Sequence, residues 1–424
     1  MLGLIFVTVI FIAVLIAGVF RPAYGMIGFY TFVLLDPAWN WRWSVSHDTP
    51  FQQYIFFACV IGFVVNGMRR PTLNKASKWG LTAGITFWLI CYVSSRASIL
   101  PQTSERVLSV FNKEMLCVFL TIFLLDSQQK IKTLLVAATL AQAYNAYQIN
   151  LDYFQTGFSR WAYQTWGSYG VDNNTQSLIT VPMLGVSLAF AMCETAPWKK
   201  LGMLFVSVVQ IHEIMLLQSR GSMLAFLPMV AFLLWKMPRT KANLRIAIMG
   251  SACVFLLAGP SVVEEFSSIF AKAEDRDSSA ESRFYLWQAG FRITMDYPLT
   301  GVGLDAGRAL VPQARYYEGG LETTNKALHN LFFDVSTGTG IPGLLAYLVF
   351  ILIPIWCAWK NYEPTQHGFA SCELAVLCGS VGYLVASNFS SGLTIESAYV
   401  LTTAGYALII IRSRTLRPAP SADH

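Results

Sequence analysis

Thirteen apolar stretches divide the chain, at about 2–19, 23–38, 51–67, 79–95, 107–125, 131–150, 175–193, 200–217, 222–236, 244–259, 340–359, 370–388 and 395–411. A helix rising 1.5 Å per residue needs roughly 20 apolar residues to cross the hydrocarbon of a bilayer, and most of these stretches reach or approach that length. A soluble domain does not accommodate such a series. Its surface needs about a quarter charged residues, whereas 13% of these 424 residues are charged and 54% are hydrophobic. Backbone polar groups inside a bilayer have no water to bond, so the stretches are expected to be helical. The expected fold is an all-α polytopic membrane protein with 12 or 13 transmembrane helices, the short second stretch reading either as a span or as one arm of a hairpin. Leu2 to Phe20 has no basic region before it and no small-residue cleavage site, so it reads as a retained helix rather than a signal peptide.

Orientation follows from the cations. Arg69, Arg70, Lys75 and Lys78, then Lys130 and Lys132, Lys199 and Lys200, Lys236, Arg239, Lys241 and Arg245, and finally Arg412, Arg414 and Arg417 all fall on one side if the spans alternate. By the positive-inside rule that side is cytoplasmic. The net charge of +6 then reflects loops facing anionic lipid, and nucleic acid is not an expected partner. The eight cysteines lie in or at the ends of apolar stretches without a CxxC pair, which suits small core hydrophobes. Trp39, Trp41, Trp43, Trp161 and Trp166 fall toward the opposite face and read as an interfacial aromatic belt.

The pattern is interrupted once at length, from about residue 260 to residue 339, on the side opposite the cations. The expected division is 1–259 N-terminal transmembrane helices, 260–339 a large, mainly helical periplasmic loop, 340–412 C-terminal transmembrane helices and 413–424 a cytoplasmic tail. Within the loop, Ser278-x-x-Glu281 has the form of a capping box, and Phe284, Trp287, Phe291 and Thr294 follow at helical spacing. This predicts a helix from about Ser279 to Met295 whose apolar stripe lies on the membrane domain or at the headgroups. Arg283 sits in its first turns, where the helix dipole gives a cation nothing, so it reads either as an anion ligand or as a solvated surface residue. Arg220 lies in the turn Gln218-Ser219-Arg220-Gly221 between two apolar stretches. An arginine at the bilayer edge either snorkels to lipid phosphate or binds an anion arriving from the membrane. Of the five histidines, His212 beside Glu213 suggests a satisfied core pair, while His329 sits where the loop meets a membrane helix. Its imidazole is either structural or a proton acceptor for a hydroxyl. Asp172-Asn173-Asn174 reads as a helix cap. Asp275-Arg276-Asp277 has the acid-x-acid form that holds metal in sugar-nucleotide enzymes, but acids directly before a helix are favoured by its dipole alone, so no metal or other cofactor is expected.

Taken in order, Ser219-Arg220-Gly221, Ser282-Arg283 with Trp287 and Gly290, Pro298 with Gly301 and Gly303, and His329-Asn330 leading to Gly338, Gly340 and Gly343 resemble the O-antigen ligase and polymerase superfamily of bacterial membrane glycosyltransferases. Ser336-Thr337 stand where that family often has an acid. The resemblance implies a GT-C-like fold and a multi-pass protein of the bacterial inner membrane with its active site facing the periplasm. It further implies an undecaprenyl-diphosphate-linked glycan as donor and a lipid A core sugar as acceptor, both met among membrane lipids. Carried onto this chain, Arg220 and Arg283 would bind the diphosphate and His329 would orient or deprotonate the acceptor hydroxyl. Gln218, Lys326 and Arg308 join them as candidate substrate-binding residues. The same resemblance admits a polymerase or a protein O-oligosaccharyltransferase. A lipid-linked glycan transporter is the alternative from another class, and it would be expected to show repeated halves and charges along a path through the membrane.

Overall fold

The computed structural model describes residues 2–47, 49–68, 70–257, 278–317, 326–364 and 368–415. Each of the thirteen apolar stretches carries a helix. The first six helices are α1 (Leu2–Phe20), α2 (Pro22–Leu35), the short α3 (Pro37–Asn40), α4 (Phe51–Val65), α5 (Lys75–Arg96) and α6 (Pro101–Leu124). They are followed by α7 (Gln128–Thr156), α8 (Asn173–Cys193), α9 (Pro197–Leu216), α10 (Arg220–Lys236) and α11 (Lys241–Leu257). The last four are α12 (Ser278–Asp296), α13 (Leu331–Asn361), α14 (Phe369–Ala386) and α15 (Glu396–Thr415). Among the described residues there is no β-strand, and the chain is an all-α polytopic membrane protein. Among the described residues five helices are long and apolar enough to cross a membrane: α1, α6, α8, α13 and α14.

Burial sorts these helices. The apolar window of α8 is 83% buried and that of α14 72%, against 11% for α1, so α8 and α14 form the bundle centre while α1 presents its surface to lipid. Small residues let the central pair approach. A Cβ added at Gly185 of α8 would lie 2.7 Å from the backbone of Cys378 in α14, too close for any side chain. The shorter α2 is largely buried and ends at Asp36, whose φ of 45° turns the chain out of the helix. Asp36 then accepts hydrogen bonds from the backbone N and the Oγ of Ser168, both at 2.6 Å, which joins the first outer loop to the 157–172 loop.

The two ends of the bundle differ in what their loops touch. At one end Lys132 pairs with Glu194 at 3.2 Å, Lys200 donates to Asn243 at 2.6 Å, Arg412 pairs with Glu373 at 2.6 Å, and Lys236 lies over Trp235 and Trp359. At the other end Trp39, Trp161 and Trp166 pack on one another with centroids 4.8–6.1 Å apart, over Ile149 and Leu217. This corrects the expectation of a lipid belt for those three tryptophans. They close the outer end of the bundle, and Trp43, 80% exposed, is the one that faces outward.

The expected stripe of α12 divides: Thr294 is buried against α13, where it bonds Ser336 at 2.7 Å, and Trp287 is half-buried, while Phe284 and Phe291 are 50% and 57% exposed; Leu286, Ala289 and Ile293 are buried besides. The 298–317 segment folds back over the Leu286 side with Val302, Ala306, Leu310 and Tyr316, making a small core of its own. His212 and Glu213 are also not a pair. His212 bonds Asn150 and stacks on Phe154, whereas Glu213 accepts from Gln142 at 2.9 Å, Gln176 at 2.9 Å and Thr180 at 3.1 Å. Consecutive helical positions point about 100° apart, so they face different neighbours.

The Glu213 network joins α7, α8 and α9 in the apolar interior. Glu213→Ala should lower stability by about 1–3 kcal/mol, because it leaves the Gln176 amide without its acceptor. Leu201→Ala, at a site 68% exposed to lipid, should change it by under about 0.5 kcal/mol. Unfolding of both variants in detergent checks this; an unaltered Glu213→Ala midpoint contradicts it.

Candidate active site

The site begins with a broken helix. Inside α13, Gly340 has φ 72° and ψ −177°, conformations that a side chain resists, and the helical ladder fails there. The freed groups are taken up by the Pro298–Gly303 segment. Ile341 N donates to Pro298 O at 2.7 Å, Val302 N to Thr337 O at 2.8 Å, and Gly303 N to Gly338 O at 3.1 Å. Ser94 of α5 also donates to Gly338 O, and Ser104 of α6 donates to Leu304 O at 2.8 Å. The spaced glycines around 301 and 340 thus follow from one backbone exchange that clamps the outer subdomain to the membrane helices.

His329-Asn330 lies at the start of the same helix. Asn330 Oδ1 caps α13 by accepting from Phe332 N at 3.0 Å and Phe333 N at 3.2 Å. Leu331 N donates to Ser387 O at 2.9 Å, fixing this end to the turn between α14 and α15. His329 is left at φ 49°, a left-handed conformation that costs a residue with a Cβ roughly 1–2 kcal/mol. It is held there between a subdomain strand of chain and an anchored helix.

Arg220 is the first residue of α10, after Gln218 at φ 51° and Ser219. The N-terminus of α8 supports this turn. Asn173 donates to Leu217 O at 3.0 Å, Ser219 donates to Asn174 Oδ1 at 3.0 Å, and Tyr163 donates to Gln218 Oε1 at 3.2 Å. Asp172 is the cap expected for α8, accepting from Thr175 N at 2.7 Å. Phe389 joins the two arginine-bearing helices. It packs on Gly221 beside Arg220 and lies 6.0 Å from Trp287, one turn beyond Arg283.

Electrostatics places the three residues in one group. Arg220, Arg283 and His329 are each half-buried. Burial, and then the Arg220 charge, push the Arg283 guanidinium below its ordinary value. Burial first, then Arg283 and Lys326, hold the His329 imidazole below the ordinary 6.5, with Asp172 pulling the other way. The fold therefore brings like charges near one another and disfavours the charged form of the imidazole beside them, an arrangement suited to a polyanion and a proton acceptor.

Arg308 stands somewhat apart. It follows the turn at Asp305, which has φ 55°, and pairs with that carboxylate at 2.9 Å. Burial raises Asp305, opposed by Arg308 and Arg106. Asp334 lies near Asp305, Arg308 and Ser391, and its Oδ2 is buried with no hydrogen-bond partner among the described residues. Asp334 was missed in the sequence, although an acid five residues after His329 at the head of an apolar run was a signal. Asn388-Phe389 was missed too, and it is the polar break between the last two apolar stretches. Asp275-Arg276-Asp277 lies outside the described residues. Among the described residues no three His, Cys, Asp or Glu side chains gather at metal-binding distance.

The chain is thus a helical membrane bundle with Arg220, Arg283 and His329 acting on one another's charge near one end. Residues 205–348 match the family model described as O-antigen ligase, a segment that holds Arg220, Arg283, His329 and the whole Gly301–Gly340 exchange. Over that part, about a third of the chain, the match supports the O-antigen ligase superfamily and, in general terms, a function of the ligase and polymerase type. No curated protein matches the chain.

The His329 environment is testable by titration. In protein labelled at histidine and held in detergent, the NMR signal assigned through His329→Gln should titrate with a midpoint below 6.5. Asp172→Asn keeps the cap but removes the anion that stabilises imidazolium, so it should move the midpoint lower still. A midpoint at or above 6.5, or an upward move in Asp172→Asn, contradicts the geometry.

Proposed function

We propose that the chain is an O-antigen ligase, transferring a glycan from undecaprenyl diphosphate to a sugar hydroxyl of lipid A core at the periplasmic leaflet of the inner membrane. The observation that carries this reading is the electrostatic group of Arg220, Arg283 and His329 at the end of the bundle remote from the lysine-rich loops. The acceptor oxygen attacks the anomeric carbon, the bond from that carbon to the diphosphate oxygen breaks, and undecaprenyl diphosphate leaves with the electron pair. Arg220 and Arg283 hold the diphosphate and offset the negative charge that grows on it, each offering a planar fork suited to two phosphate oxygens. Neutral His329 takes the proton from the acceptor hydroxyl. Two guanidinium groups supply the charge that a divalent ion supplies in other diphosphate enzymes, so the reaction is metal-independent. Gln218, two residues before Arg220, and Lys326, whose charge acts on His329, are the further candidates for substrate contact, with Arg308 paired to Asp305 near Asp334.

Roles separate by substitution. Arg220→Lys keeps the charge but loses the fork, so it should weaken donor binding and impair transfer in a normally folded protein. His329→Ala should leave donor binding nearly intact and lower single-turnover transfer by something on the order of 10²-fold or more. Donor binding and transfer are measured separately, with lipid A core and a second lipid-linked repeat unit offered in parallel as acceptors. Parental transfer by His329→Ala sinks the assignment of the base, and elongation of the second lipid in place of lipid A core makes the chain a polymerase.

A further inference from the structure

At the opposite end of the bundle a cavity of about 910 Å³ opens among the α1–α2 junction, the α4–α5 loop, the α6–α7 turn and the end of α15. Its volume falls in the range of ~300–1,000 Å³ usual for small-molecule sites. Its charged lining is Arg21, Arg70, Lys130, Arg414 and Asp126. Lys130 is paired with Asp126 at 2.8 Å. Taking that pair as neutral, four cations against one carboxylate leave three positive charges, carried by arginines from three separate segments. None of the three has a carboxylate partner among the described residues. Like charges converging on one opening gain nothing from one another, and a mobile counterion in water does not call for a shaped cavity. Phe20, Phe63 and Phe123 line the same space, and Phe20 is 73% exposed. The lining is therefore amphiphilic, with guanidinium forks beside an apolar wall at the membrane edge.

We propose that this cavity binds the phosphate headgroup of an anionic membrane phospholipid, with Arg21, Arg70 and Arg414 on the phosphate and the upper acyl chains along Phe20, Phe63 and Phe123. Guanidinium groups match phosphate oxygens in pairs, and basic pockets between membrane helices on the cytoplasmic side select anionic headgroups. Zwitterionic lipid carries a phosphate too, but its own ammonium cancels the attraction. The site lies away from Arg220, Arg283 and His329, and it does not depend on what those residues do.

Free phosphate shares the headgroup chemistry, so the test separates the two sources. Full-length protein is stripped of lipid in a non-ionic detergent, and its thermal unfolding is followed against added phosphatidylglycerol, phosphatidylcholine or inorganic phosphate. Phosphatidylglycerol should raise the parental midpoint at concentrations at least about tenfold below those at which phosphatidylcholine acts. The Arg21→Gln, Arg70→Gln, Arg414→Gln triple variant should lose that preference while eluting like the parent. Should the triple variant fail to fold, Arg21→Gln and Arg70→Gln singly should each weaken the phosphatidylglycerol response several-fold. An undiminished preference in the variants overturns the site, and a full response to inorganic phosphate alone overturns its assignment to lipid.

Discussion

The backbone exchange at Gly340 is the constraint on which the outer half of this protein rests. A helix that ran unbroken through residue 340 would keep the carbonyl of Thr337 for Ile341 and leave Val302 without a partner in an apolar setting, while Pro342, which has no N–H, leaves the Gly338 carbonyl open for Gly303. Breaking it lets one segment supply the donors that the other lacks, with Ile341 returning a bond to Pro298. Each backbone group left unpaired there would cost about 1–3 kcal/mol, so the exchange holds the subdomain firmly on the membrane helices. The position of α12, and with it Arg283, follows from that attachment.

Charge is then placed on this frame at a cost. Arg220 reaches the site from a turn braced by Asn173 and Asn174, Arg283 from a helix packed through Trp287, and Phe389 wedges between the two elements. The interaction of the two guanidinium groups is itself repulsive, and the packing of Phe389 on Gly221 and Trp287 holds the elements that carry them together. His329, strained at φ 49°, is locked between the anchored cap of α13 and the incoming loop. Preorganised charge of this kind is most effective where water is scarce, and the half-burial of all three side chains meets that condition. At the far end, Arg21, Arg70 and Arg414 also converge on one opening, but they are exposed.

Much of this was legible in the residues, because apolar length reports directly on membrane helices. All thirteen stretches carry helices, α12 spans Ser278–Asp296 against a reading of Ser279 to Met295, and Asp172 caps α8. The arginines and His329 were readable as ordered motifs, and the glycines flanking them now have a geometric cause. What was not legible depended on tertiary partners. The Trp39, Trp161 and Trp166 cluster looks identical in sequence to a lipid belt, since interfacial and packed tryptophans occupy the same loops. The stripe of α12 read from helical spacing named Phe284, Trp287, Phe291 and Thr294 but not Leu286, Ala289 and Ile293, because the 298–317 segment that covers them comes from further along the chain. Asp334 and Phe389 gave weak local signals and acquire a role only through Arg308, Gly221 and Trp287, which lie far away in the chain.

The central claim is that arginine charge does the work of a metal ion on the lipid diphosphate. The direct measurement is the rate at which purified protein in proteoliposomes transfers glycan from undecaprenyl diphosphate to lipid A core, with and without EDTA. The account predicts the same rate in both. Transfer that stops in EDTA and returns with added magnesium or manganese would contradict it.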